Sequence, residues 1–87
     1  MYDLIMNDGS TVDVRVAGVG QQGDLWIHVA GLSLVECVTV FSDPAKTARM
    51  HIDYDETISD TFEDYTELVN VQVCDDYVKV CLARASA

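Results

Sequence analysis

Val69-Asn70-Val71-Gln72-Val73-Cys74-Asp75-Asp76-Tyr77-Val78-Lys79-Val80-Cys81-Leu82 decides the fold. Valines recur at every second position on both sides of Asp75-Asp76. That period belongs to a β-strand with one apolar face, and the paired aspartates fit a two-residue hairpin turn. The turn predicts Val73 opposite Val78, Val71 opposite Val80 and Val69 opposite Leu82. Gln72 then meets Lys79 on the other face. A one-residue slip would turn every valine to the wrong side.

The segment upstream is acidic. Seven acids, Asp53, Asp55, Glu56, Asp60, Glu63, Asp64 and Glu67, occur there without a Lys or Arg. Before it, Met50, Ile52 and Tyr54 alternate with Arg49, His51 and Asp53, which predicts a strand with one wet face. Ser33-Leu34-Val35-Glu36 has capping-box spacing. Leu34, Cys37, Val38 and Phe41 follow at helical spacing, so a short helix is predicted over 34–42, ended by Asp43-Pro44. The β-branched Val35, Val38, Thr39 and Val40 make a strand the rival reading.

At the start, Tyr2, Leu4 and Met6 alternate with Asp3, Ile5 and Asn7, and beyond Asp8-Gly9 Val12, Val14 and Val16 alternate with Asp13 and Arg15. A three-residue loop aligns Met6 with Val12, Leu4 with Val14 and Tyr2 with Val16. Asp3 then faces Arg15, which favours this register. A glycine-rich loop is expected over 18–23, followed by a strand through Leu25, Ile27 and Val29. The order is β-β-β-α-β-β-β. The fold class is α+β, a mainly antiparallel sheet of five to six strands with one short helix on a face, in a single domain over 1–87.

Composition narrows the function classes. Fifteen Asp and Glu against five Lys and Arg give a net charge of −10. Such a surface repels nucleic acid and anionic membrane and suits a basic protein partner. No apolar run has membrane-spanning length. Three cysteines and no export segment point to reduced thiols in a cytoplasm. Cys37, Cys74 and Cys81 lack zinc-site spacing and read as buried thiols, so no cofactor is expected. Asp53, Asp55, Thr57, Ser59, Thr61 and Asp64 fall at calcium-loop positions, but Ile58 stands where that loop needs Gly. Neither His28 nor His51 belongs to a hydrolase or phosphate-binding motif, so no enzyme is expected.

An interaction surface remains. Carboxylates on a strand lattice approach the charge spacing of a nucleic-acid backbone. The same charge also serves simply to solvate an edge and block aggregation. Tyr54, Phe62 and Tyr65 interleave with the acids, and aromatics anchor interfaces. The candidate partner-binding residues are Asp53, Tyr54, Asp55, Glu56, Asp60, Glu63, Asp64 and Glu67, with Trp26 as a separate anchor.

Val40-Phe41-Ser42-Asp43-Pro44-Ala45-Lys46-Thr47, Tyr65-Thr66-Glu67-Leu68 and Val78-Lys79-Val80-Cys81-Leu82 together resemble small uncharacterised proteins of bacteriophages and prophages. The resemblance covers about half the chain and carries no site residues over. It implies a phage protein acting in the host cytoplasm. Two roles follow: a host-defence inhibitor of the anti-CRISPR kind, docking on a basic nucleic-acid-handling protein, or a virion or tail-assembly accessory. The second would use an exposed strand edge or the Trp26 face for oligomerisation. A small-ligand binder is disfavoured, because few arginines are available for phosphate.

Overall fold

The computed structural model describes residues 1–85. Seven strands are present: β1 (Tyr2–Ile5), β2 (Thr11–Val19), β3 (Leu25–Val29), β4 (Arg49–Asp53), β5 (Ser59–Glu63), β6 (Glu67–Val73) and β7 (Val78–Ala83). Two helices, α1 (Leu34–Phe41) and α2 (Pro44–Thr47), lie between β3 and β4. All strands join one sheet in the order β5-β4-β1-β2-β3-β7-β6, and every neighbouring pair is antiparallel. The fold is α+β, with one more strand and one more helix than the sequence pattern predicts.

The β6–β7 hairpin forms around Asp75-Asp76, closed by the Cys74 amide donating to the Tyr77 carbonyl at 2.9 Å. Val73 meets Val78, Val71 meets Val80 and Gln72 meets Lys79, as the alternation requires. The third expected pair fails. A bulge between Leu68 and Asn70 brings Leu68, not Val69, opposite Leu82. The bulge adds one residue, so the larger Leu68 packs against the core and Val69 turns outward.

The first hairpin also corrects the expected register. Its loop has three residues, but they are Asn7-Asp8-Gly9, closed by the Met6 amide on the Ser10 carbonyl at 2.8 Å. Gly9 takes φ +85°, the left-handed conformation that ends such loops. Asp8 Oδ1 accepts from the Ser10 amide at 3.0 Å and fixes the turn one residue earlier than expected. Leu4 therefore pairs with Val12 and Tyr2 with Val14. Asp3 faces Asp13 instead of Arg15. A shift of two preserves the faces, so Leu4, Met6, Val12 and Val14 stay buried while the charge pairing inverts. Val16 is not buried, because β2 bulges between Val14 and Val16 and turns Ala17 inward instead.

β2 runs on through Gly18 and Val19, which pair with Trp26 and Leu25, so the expected 18–23 loop is shorter. The α1 capping box is present: Ser33 Oγ accepts from the Glu36 amide at 3.2 Å, and Glu36 Oε1 accepts from the Ser33 amide at 3.1 Å. Cys37 and Phe41 are fully buried, whereas Leu34 and Val38 of the same face are 41% and 42% exposed. Asp43-Pro44 ends α1 and at once starts α2, with Pro at the first turn and Asp43 Oδ1 accepting from the Ala45 amide at 3.0 Å.

The sheet is curled. β5 and β6 stand at opposite ends of the strand order, yet only Asp64-Tyr65-Thr66 joins them. Four Cα steps reach about 14 Å at most. Six inter-strand gaps in a flat sheet would span about 29 Å. The two edges therefore converge at one corner, and the sheet closes partway into a barrel. Asp64 marks the corner with φ 67°, its amide donating to Ala48 O at 3.0 Å and its carbonyl accepting from the Ala85 amide at 2.9 Å. Inside the curl lie Leu4, Val14, Leu25, Ile27, Val29, Phe41, Met50, Ile52, Val80 and Leu82, all fully buried. α1 packs on β6 and β7.

Candidate functional site

The outer face of the sheet positions charge rather than a cleft. Asp3 pairs directly with Asp13, so both carboxylates leave the same face. On the other side of β1, Leu4 pairs with Ile52 and Ile5 with His51, a register that brings Asp3 beside Asp53. Asp13, Asp3 and Asp53 thus form a row across β2, β1 and β4, at about 4.8 Å per strand. Like charges directly opposed in a sheet are destabilising.

Little counter-charge is left for this row. Arg15 is held bidentate by Asp76 at 2.9 and 2.7 Å, Lys46 by Asp8 at 2.6 Å, and Arg49 faces Glu63 at 3.6 Å. Lys79 lies over the Trp26 ring at 5.4 Å and Arg84 over the Tyr65 ring at 5.2 Å. All five cations are engaged elsewhere. Neither Asp3 nor Asp13 has an ion-pair partner among the described residues.

Asp53 and Asp3 line a shallow groove of about 380 Å³ together with Met1, Tyr2, Ile5 and Tyr54. Tyr2 and Tyr54 meet edge to face at 5.0 Å. Tyr54 is half-buried, donates from Oη to the Ala17 carbonyl at 3.1 Å, and has its phenol pushed up to about 12, first by burial and then by Asp60. Behind Asp53, its Oδ1 sits 2.8 Å from His51 Nε2, and His51 Nδ1 sits 2.8 Å from Thr61 Oγ1. Carboxylate, imidazole and hydroxyl are the components of an activated nucleophile. Here they lie on an open sheet face, not in a site that excludes water, and they fix side-chain direction.

The other sequence-predicted residues scatter. Asp55 folds the β4–β5 turn, accepting from the Thr57 amide at 2.7 Å and the Ile58 amide at 2.8 Å, bonds that hold its carboxyl below the usual range. Glu56 is exposed in that turn. Asp60 pairs with Ile52 and is exposed on β5. Glu63 is the partner of Arg49, Asp64 is the corner and Glu67 opens β6. Phe62 and Tyr65 are buried and stack edge to face at 6.3 Å, so they are core, not surface anchors. Trp26 lies on β3, three strand steps from β4. Its indole leans on Gly20, where a Cβ would come within 3.2 Å of Nε1.

The row thus gathers only Asp53 from the expected set and adds Asp3 and Asp13, while Tyr54 turns to the core-facing side. Asp3 was visible as an outward residue, but the expected Asp3–Arg15 pairing assigned it a cation and hid it. The thiols are spread as well. Cys37 and Cys81 are buried, with Cys37 pushed up to about 11 by burial, while Cys74 is partly exposed. Among the described residues no three His, Cys, Asp or Glu side chains are arranged to hold a metal. No described helix is long and apolar enough to cross a membrane. No protein-family model matches the chain, and no curated protein or solved structure matches it.

Proposed function

We propose that the chain is a non-enzymatic, phage-encoded inhibitor of host defence that docks its acidic sheet face on the basic nucleic-acid-binding surface of a host protein. The observation that carries this reading is the Asp13–Asp3–Asp53 row. Solubility needs charge, but it does not need three carboxylates side by side at the centre of a sheet with every cation engaged elsewhere. A basic groove would relieve their repulsion on docking, while Tyr2 and Tyr54, on the core-facing side at the ends of β1 and β4, stiffen the end of the sheet that carries the row. Such an interface gains on-rate and specificity from charge and weakens as salt rises.

The test is capture with tagged protein from host and infected lysates at low and high salt. The expected result is a nucleic-acid-handling protein that is released by high salt and by competing DNA. Asp3→Asn with Asp13→Asn should weaken its retention, whereas Asp75→Asn, in the β6–β7 turn, should not. Retention unchanged by the Asp3/Asp13 pair would sink the reading. A virion or tail-assembly role is the second reading, favoured by the uncharged run from Leu68 to Val73 on an edge strand. Finding the chain in purified particles, held there at high salt, would support it.

A further inference from the structure

We infer that the free edge of β6, with the exposed apolar residues of α1 beside it, is the interface through which two copies of this chain form a symmetric antiparallel dimer. The sheet has two open edges, and they are built differently. β5 carries Asp60 and Glu63 and follows a turn holding Asp55 and Glu56. Asp60 sits on the side of β5 that faces the core, opposite the buried Ile52. An inward-pointing charge on an edge strand is a known block to strand addition. β6 has one acid, Glu67, at its first residue and then Leu68-Val69-Asn70-Val71-Gln72-Val73 without charge. No β6 residue is buried, and Val69 and Val73 are 57% and 61% exposed.

α1 packs on β6 and β7, the strands at this end of the sheet. It leaves Leu34, Val35 and Val38 exposed, Val35 at 73%. Five aliphatic side chains on two neighbouring elements thus stay in water. Val69 faces outward and the α1 residues lie on the helix side of the strand, so apolar surface flanks the β6 edge from both sides, and exposed apolar surface of this kind marks interaction sites.

A second copy is the occupant that the charge distribution selects. Two molecules of charge −10 repel over most of their surfaces. They can approach closely only through a region that holds almost no charge, and α1 with β6 offers one: Glu36 and Glu67 are its only acids. An antiparallel edge pairs with its own copy about a two-fold axis, which closes the assembly at two. Seven residues of edge span about 24 Å. An interface of standard size needs about 800 Å² per partner. A strand edge alone falls short of that, so Leu34, Val35 and Val38 are required to complete the contact.

This dimer has a salt signature opposite to that of the acidic face. Raising salt from about 0.1 to 1 M shortens the screening length from about 10 to 3 Å. Screening should remove the repulsion between like molecules, so dimerisation should tighten, by tenfold or more.

Sedimentation equilibrium of the full chain at both salt concentrations tests this. The expected result is a monomer–dimer equilibrium, stronger at high salt. Val69→Lys should weaken the dimer at least tenfold, although it reduces the magnitude of the negative charge and would tighten an association limited by repulsion alone. Val35→Lys should act in the same direction, and Val19→Lys, exposed on β2, should not. Circular dichroism confirms that each variant is folded. A monomer at every concentration in high salt overturns the proposal. A dimer indifferent to both Val69→Lys and Val35→Lys overturns it too. So does a monomer that instead takes up an added strand peptide at β6, since the edge would then serve a foreign partner. Loss of lysate capture by the Asp3/Asp13 variant leaves these outcomes unchanged, so the two readings fail separately.

Discussion

Asp3 stands between two other carboxylates because Asp8 and Gly9 set the turn that precedes β2. A turn placed one residue later, which shifts the pairing by two, would have given it Arg15 as a partner. Arg15 instead crosses to Asp76, holding that carboxyl below its usual range, and lies 5.7 Å from the Tyr77 ring. Asp3→Asn should therefore stabilise the fold while weakening partner binding. Removing one directly opposed like-charge pair should raise the thermal midpoint by about 1–5 °C. A lower midpoint would mean that the row is not repulsive. His28, stacked on Tyr77 at 4.5 Å, gives a pH-dependent prediction. Burial first, then Lys79 and Arg15, lower its pKa from 6.5. The folded state thus favours neutral His28, and its contribution to stability is complete above 6.5 and is lost as pH falls toward the folded value. Neutralisation of surface acids works the other way by relieving self-repulsion. The comparison is therefore between proteins: from pH 7 to pH 5 the wild type should lose more thermal stability than His28→Gln. Equal slopes would remove His28 from the account. At this scale burial was legible from alternation for Leu4, Val14, Ile27, Met50 and Val80, and failed at Val16 and Val69, where bulges in β2 and β6 break the period. Charge partners were not legible, because faces survive a two-residue shift and pairings do not.

At the scale of elements, local signals that act within four residues were readable and long-range ones were not. Ser33 and Glu36 specify the start of α1 by bonds to each other's backbone, and no tertiary contact is needed to make them. The helix nevertheless depends on this cap, since it has eight residues and three of them are valine. Ser33→Ala should cost about 1 kcal/mol. Urea unfolding followed by far-ultraviolet dichroism would measure it, and a loss under a few tenths would show that packing of Cys37 and Phe41 alone holds α1. β5 escaped the sequence reading because an edge strand buries one face of one side. In Ser59-Asp60-Thr61-Phe62-Glu63 only Phe62 is buried, and a single apolar residue makes no period. The bulge in β6 escaped for a related reason: either Leu68 or Val69 can face Leu82, and the choice falls to the larger side chain. α2 fits in the space between Asp43 and β4, four residues whose start is set by Pro44.

For the whole molecule, charge sets the response to solution conditions. With twelve of fifteen acids unmatched by Lys or Arg pairs among the described residues, the folded chain repels itself. Raising salt from about 0.05 to 0.5 M should increase the thermal midpoint by several degrees through screening. A chain stabilised mainly by its surface ion pairs would respond in the opposite direction. The acidity, and with it this response, was legible from composition. The curl was not, because it follows from the order in which strands pair. β3 takes β2 on one side and β7 on the other, and β1 takes β2 and β4. Nothing in the local pattern of Leu25, Ile27 and Val29 says that their second neighbour is Val78, Val80 and Leu82. That pairing bears on how the protein is made. A ribosome delivers β3 early and β7 only after β6, so throughout translation of the residues between Val29 and Val78 a strand with three fully buried residues has one side unmet. Through that interval the β3 edge stays open to any other strand, and the fold is completed only once β7 has emerged to cover it.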